Sequence, residues 1–223
     1  MSFSLIVPAA AQKEKYKEQL PEIFHLNKNG IFYCIEAILG LNLNKFSAIY
    51  FTILHQHDEQ FGIGTMLSIQ LNRLNIKNVK IVVLDHSTSS QAETIYRTIC
   101  QEHISGAFFV KDADCTFSVE IFPYNGIVVY PLEKLTIVNP QHKSYVAVDD
   151  MQFITNTIEK RVIDHYFNAG GYCFDDALTF NRYYCRYADQ TGLYLSHIVY
   201  AMLLDNHIFR PFMAENYKDL ELI

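Results

Sequence analysis

Residues 106–117 read GAFFVKDADCTF, and the fold is decided by how this stretch changes character halfway along. Phe108, Phe109 and Val110 form a short, unbroken apolar run, the texture of a strand covered on both faces in a parallel sheet. Behind them come Lys111, Asp112, Ala113 and Asp114. Two carboxylates, one residue apart, therefore stand at the carboxyl end of a strand expected over Gly106–Lys111. In an open α/β sheet, ligands collect along that edge. A DxD placed there suits a hard cation such as Mg2+, which takes one or two carboxylates together with phosphate oxygens and waters. A solvated turn would use the same letters, because Asp prefers the surface; the position directly after a buried strand favours a site.

Working outward towards the N-terminus, strands are expected at Ser2–Pro8, Ser47–Leu54 and Val79–Leu84, alternating with helices at Ile31–Leu41, Asp58–Leu74 and Gln91–Gln101. In the last of these, Ala92, Ile95, Tyr96 and Ile99 recur at helical spacing. Such alternation reads as a parallel sheet with crossover helices. Beyond Phe117 strands follow one another more directly, at Gly126–Tyr130, Tyr145–Val148, Phe153–Glu159 and Gly171–Phe174. Helices near Asp175–Tyr187 and Tyr194–Leu204, a short strand at Ile208–Phe212 and an acidic tail close the chain. With no repeat or linker between the two textures, residues 1–223 are expected to form one domain. The expected fold class is α/β, a mostly parallel sheet flanked by helices.

The composition bounds the function. At 223 residues, 50% hydrophobic and 19% charged, the chain is an ordinary globular one, long enough to bury about 70% of its unfolded surface. Lys and Arg number 18 against 24 Asp and Glu, a net charge of −6. That excludes a broad cationic face for nucleic acid. It leaves room for a small phosphorylated ligand, which needs only a few cations, backbone N–H groups or a metal. The five cysteines make no CxxC pair and are odd in number, so neither a zinc knuckle nor a disulfide framework is indicated. No apolar run approaches the roughly 18 residues of a membrane span, and the N-terminus lacks a signal-peptide pattern. A soluble cytoplasmic protein without membrane partners is expected; its oligomeric state is not readable.

Four further segments could carry chemistry. Ser87–Thr94 (STSSQAET) follows the third strand and opens a helix, with Ser90 as N-cap and Glu93 closing a capping box; a capped helix start is also where a base or phosphate docks. Residues 7–21, VPAAAQKEKYKEQLP, leave the first strand as a loop with Lys13, Lys15 and Lys17 but no glycine. They fit a phosphate cradle or a solvated lysine-rich loop. Glu159 and Lys160 end a strand, and Gly170–Gly171, just after Asn168, let a ligand or chain approach the backbone closely. His55 and His57 read as a solvated strand end rather than a metal site.

Taken together, LIVPAA, STSSQAETIY, FFVKDADCTF, ITNTIEKRVI, NAGGYCF and YLSHIVYAML resemble the sugar-phosphate nucleotidyltransferase family. The resemblance is strongest to the branch found among bacterial capsule and surface-polysaccharide genes. It implies a GT-A-like, Rossmann-like nucleotide-diphospho-sugar transferase domain on a mostly parallel mixed sheet, with a nucleotide-binding half over 1–117 and a sugar- or acceptor-binding half over 118–223. The implied reaction joins a nucleoside triphosphate to a phosphorylated sugar and releases pyrophosphate, by in-line attack at the α-phosphorus. By the same resemblance Asp114 and Asp219 hold Mg2+ or Mn2+, with Asp112 nearby. Pro8, Ala9, Ala10 and Lys17 meet the phosphates, and Ser90, Gln91 and Glu93 the base. Glu159 and Lys160 meet the sugar phosphate, and Asn168, Gly170 and Gly171 the sugar. The departures are local. The family's PAAGxGxR loop is PAAAQKEKYKE here, Leu20-Pro21-Glu22 stands where a Pro-Lys pair is usual, and Ser90 replaces a frequent glycine. A non-catalytic nucleotide-binding relative and a GT-A glycosyltransferase are the alternatives.

Overall fold

Phe3–Ala9 (β1) is the strand about which the rest is built, and its alternate side chains show why. Leu5 and Val7 join one apolar layer, with Phe51, Ile53, Ile35 and Ile63; Ile6 joins the other, with Tyr50, Val110, Ile95 and Ile99. A strand buried on both faces needs no polar alternation, and its sequence shows none. The computed structural model describes residues 3–10, 19–135 and 143–220. Phe46–Leu54 (β2), Val79–Leu84 (β3) and Phe108–Lys111 (β4) pair in parallel in the order β3-β2-β1-β4.

Beyond β4 the pairing direction changes. Tyr166–Phe174 (β9) runs antiparallel to both β4 and Gly126–Pro131 (β6), and Arg210–Met213 (β10) lies parallel on the far side of β6. Ser144–Val148 (β7) and Ile154–Glu159 (β8) form a hairpin hung from β9. Tyr33–Glu36 (α1), His55–Phe61 (α2) and Ile63–Arg73 (α3) cover one face. Gln91–Gln101 (α4), Ala177–Tyr187 (α5) and Leu195–Leu204 (α6) cover the other. This is the mixed sheet, parallel in its N-terminal half and flanked by helices, that the hydrophobic pattern predicts.

Several local expectations are corrected. The helix expected over Ile31–Leu41 shrinks to one turn, α1, followed by turns. A Cβ on Gly40 would lie 2.1 Å from the Phe117 carbonyl oxygen, so the backbone passes against that of Phe117 at a point where a side chain has no room. The helix expected over Asp58–Leu74 begins at His55 and breaks at Gly62, whose φ of +67° ends α2 with its N–H on the Asp58 carbonyl at 2.7 Å. Gly64 N–H then donates to Asp58 Oδ1 at 2.7 Å. His57, expected at a solvated end, sits on α2 and is 1% exposed. The acidic tail is a strand: Glu215–Asp219 (β11) pairs antiparallel with Cys115–Ser118 (β5). Its register sets Asp219 opposite Cys115, and Leu220 N–H donates to Asp114 O at 2.8 Å, clamping the end of the DxD turn.

Candidate functional site

The site is organised by Lys111, the last residue of β4. Its side chain is wholly buried. Nζ donates to the carbonyl oxygens of Asp112 and Cys115 at 2.7 and 2.8 Å and to Cys115 Sγ at 3.1 Å, and lies 4.3 Å from the Phe117 ring centroid. A buried ammonium is tolerated only when such groups replace its water. Here it folds the 112–115 turn around itself.

From the other side the turn is held by β9. Asp112 N–H donates to Gly170 O at 2.9 Å. Between Tyr172 and Asn168 the β6 register slips, leaving Ala169–Gly171 opposite Val128. This bulge is held by Asn168 Oδ1, which accepts from Gly170 N–H at 2.8 Å and Gly171 N–H at 3.3 Å. Gly170 has φ +89°, and a Cβ on it would stand 2.6 Å from Cys115 Sγ and 3.0 Å from Asp112 Oδ2. Bulges of this kind re-aim a strand at a sheet edge.

Helix α4 adds a third contact. Ser90 caps it, Oγ accepting from Glu93 N–H at 3.2 Å, and Gln91 Nε2 donates to Asp112 Oδ1 at 2.6 Å. Glu93 turns away: Oε2 accepts from Ser89 N–H and Oγ, each at 2.7 Å, and Oε1 pairs with Arg97. The expected capping box thus closes on Ser89 instead of Ser90, and these contacts hold the Glu93 carboxylate below its usual pKa despite the opposing effect of burial. At the end of β8, Glu159 Oε2 accepts from Ser144 Oγ and from Ser196 Oγ. Lys160 takes a left-handed conformation, φ +58°. It donates to Tyr194 OH at 2.8 Å, with Nζ 4.8 Å from that ring.

These elements enclose a cavity of about 150 Å³ whose lining includes Gln91, Asp112, Asp114, Glu159, Asn168 and Gly170. Residues as far apart in the chain as Gln91 and Tyr217 are brought to one place. Pro8 and Ala9 end β1 at the same sheet edge, followed by the buried Ala10; Lys17 lies outside the described residues. Gly171 packs inward, an added Cβ falling 2.5 Å from Val128 Cγ2. Lys143, Ser144, Tyr172, Tyr194 and Tyr217 also line the cavity. No local pattern announces them, because each is placed by strand pairing or a helix start. A larger depression, about 630 Å³, lies against α3, between Leu20, Phe24, Met66 and Ile69; it lacks paired carboxylates.

The electrostatics mark the DxD. Burial and then the neighbouring Asp114 push the Asp112 carboxyl up to about 6, against the opposing pull of Lys111, Gln91 and Lys143. A divalent cation relieves the repulsion that Asp114 exerts on the Asp112 carboxylate, so Asp112 and Asp114 fit Mg2+ with phosphate oxygens completing its shell. Among the described residues no group of three His, Cys, Asp or Glu is arranged to hold a metal. Asp219 does not line the cavity; its Oδ2 lies 2.5 Å from Lys143 Nζ. The Cys115 thiol, pushed up to about 12 chiefly by burial, is protonated and is no nucleophile. Among the described residues no helix is long and apolar enough to cross a membrane.

No family model matches this chain, and a search of curated proteins finds no match. Solved structures do match. The nucleoside-diphosphate-sugar pyrophosphorylase from Vibrio cholerae RC9 superposes with a TM-score of 0.75 at 16% identity, over 94% of this chain and 91% of that one. The inositol-1-phosphate CTP transferase from T. maritima gives 0.74 at 14% identity, over 98% and 89%. UDP-glucose pyrophosphorylase complexed with UDP-glucose gives 0.65 at 10% identity, over 99% and 94%. The sheet order, the carboxylates at the end of β4 and these neighbours agree: the chain has the fold of the nucleoside-diphosphate-sugar pyrophosphorylases and sugar-phosphate nucleotidyltransferases that its motifs resemble.

Proposed function

We propose that this protein is a nucleotidyltransferase that joins a nucleoside triphosphate to a sugar phosphate, or a similar phosphorylated acceptor, with release of pyrophosphate. The place of its product is capsule or surface polysaccharide synthesis, as the motif resemblance suggests. The observation that carries the reading is the single cavity in which the DxD turn, Gln91 and the Glu159, Asn168 and Gly170 group meet.

Asp112 and Asp114 would hold Mg2+, which would offset the charge of the triphosphate. The rest is positioning, the main task in phosphoryl transfer. Gln91 fixes the Asp112 carboxylate from the start of α4, where N–H groups favour an anion. Glu159, oriented by two serine hydroxyls, faces the cavity as an acceptor for the hydroxyls of a sugar. Lys160 brings a cation to the rim beside Tyr194 for the acceptor phosphate. An acceptor phosphate oxygen bonds to the α-phosphorus as the bond to the departing pyrophosphate breaks.

The test is pyrophosphate release from each of the four ribonucleoside triphosphates and dTTP with a panel of sugar 1-phosphates and Mg2+. Release with at least one pair is expected. Asp114→Asn should lower it by at least about a hundredfold while leaving the unfolding transition in place, since charge and not packing is removed. Release from no pair, together with tight binding of a nucleoside diphosphate sugar, would refute transfer to a phosphate. It would favour a non-catalytic binder, the reading to which the glycine-free, arginine-free sequence of residues 7–21 gives weight.

A further inference from the structure

The site's lining is acidic, with Asp112, Asp114 and Glu159 around one small cavity, and among its described lining residues Lys143 is the one cation. Lys143 stands immediately before β7. Its Nζ donates to Asp219 Oδ2 and, at 2.7 Å, to Tyr217 OH, and lies 5.3 Å from the centroid of the Tyr217 ring and 5.9 Å from that of Phe167. The pair is mostly covered, with side-chain exposures of 20% for Lys143 and 17% for Asp219. Asp219 is carried to the DxD by the β5–β11 pairing, yet the cavity is lined by Lys143 and Tyr217, whose side chains contact its carboxylate, and not by Asp219 itself.

We propose that Lys143 is a built-in cation of the phosphate site, that Asp219 positions it instead of binding metal, and that Asp112 and Asp114 alone take the divalent ion. The inference rests on the reading that the cavity receives a polyphosphate. An ammonium has three donors; Asp219 and Tyr217 take two, and the third is left for a phosphate oxygen on the cavity side. Lys143 lines the same small cavity as Asp112 and Asp114, which places its charge beside the DxD. A carboxylate already paired with a covered ammonium is a poor metal ligand, because a metal would have to displace the lysine or stand against its charge. Residues 7–21 contain lysines but no arginine, so they supply no bidentate fork for a phosphate.

The test uses Mn2+ as the metal probe and inorganic pyrophosphate as the polyanion, with binding followed by paramagnetic resonance and calorimetry on the whole chain. One Mn2+ per chain is expected. Its affinity should fall by about tenfold or more in Asp114→Asn and stay within about threefold in Asp219→Asn. At saturating Mn2+, pyrophosphate should bind about tenfold more weakly to Lys143→Met, with much of the loss restored in Lys143→Arg. Melting curves accompany each variant; should Lys143→Met unfold, Asp219→Asn is also expected to weaken pyrophosphate, by releasing the ammonium, and carries the same test. Equal losses of Mn2+ in Asp219→Asn and Asp114→Asn, unchanged pyrophosphate affinity in Lys143→Met, or no Mn2+ binding by the unmodified protein would each overturn the proposal. None of these readouts needs turnover, so a protein that binds as expected but releases no pyrophosphate refutes the proposed reaction and leaves Lys143 in its role.

Discussion

Gly170→Ala asks directly whether the DxD turn and the β9 bulge form one unit. The backbone there has φ +89°, a region in which a side chain costs about 1–2 kcal/mol. The new methyl would also arrive 2.6 Å from Cys115 Sγ and 3.0 Å from both Cβ and Oδ2 of Asp112. Cys115 has little freedom to retreat: it is 4% exposed, accepts from Lys111 Nζ at 3.1 Å and donates to Ala169 O at 3.1 Å. Overpacking of this kind adds about 1–3 kcal/mol, for an expected loss of about 2–5 kcal/mol in all. Gly192 is the control, with φ +73° and nothing within 4 Å of an added Cβ; Gly192→Ala should show the backbone cost alone, about 1–2 kcal/mol. Urea unfolding measures both, and Mn2+ affinity of folded Gly170→Ala should fall as Asp112 is pushed aside. Equal stability losses in the two variants would refute the packing argument.

Other expectations follow from the same contacts. The folded Asp112 carboxyl, raised to about 6 from an ordinary 3.8, keeps a proton that the unfolded chain releases, so its contribution to stability falls as pH rises from about 4 to about 6 and the penalty is complete above that. Asp112→Asn should therefore gain about 1–3 kcal/mol over the unmodified, metal-free protein on going from about pH 4 to about pH 8; a difference that does not change with pH would contradict this. Lys111→Met strands the carbonyls of Asp112 and Cys115 and should lose about 2–4 kcal/mol in urea unfolding, whereas an unshifted midpoint would show that the ammonium does not organise the turn. Lys160→Ala should raise KM for the phosphorylated acceptor by about tenfold and that for the triphosphate far less; equal effects on both would remove Lys160 from the acceptor side.

What could be read along the chain is what local forces specify. The apolar runs of β1, β2, β3 and β4, the amphipathic face of α4 with its Ser90 cap, and the DxD following a buried strand all express hydrogen bonding and hydrophobic spacing within about ten residues. Gln91 and Asp112 were legible for the same reason, each lying where a strand or helix boundary meets the sheet edge. The misses lie where a distant segment overrides local preference. The Gly40 turn yields to Phe117, and Glu215–Asp219 becomes a strand because β5 offers an edge to pair with, not because its own sequence alternates strongly.

By itself, then, the sequence determined a sheet buried on both faces and a pair of carboxylates at the carboxyl end of one of its central strands. Tertiary structure decided what surrounds them: Lys111 turned inward beneath the DxD, the Gly170 bulge laid against it, and Lys143 set on Asp219 from 76 residues away. Hydrophobic periodicity records which way a residue faces, and that is a property of its own element. The charge a carboxylate meets is a property of the element packed opposite, and only folding chooses that partner.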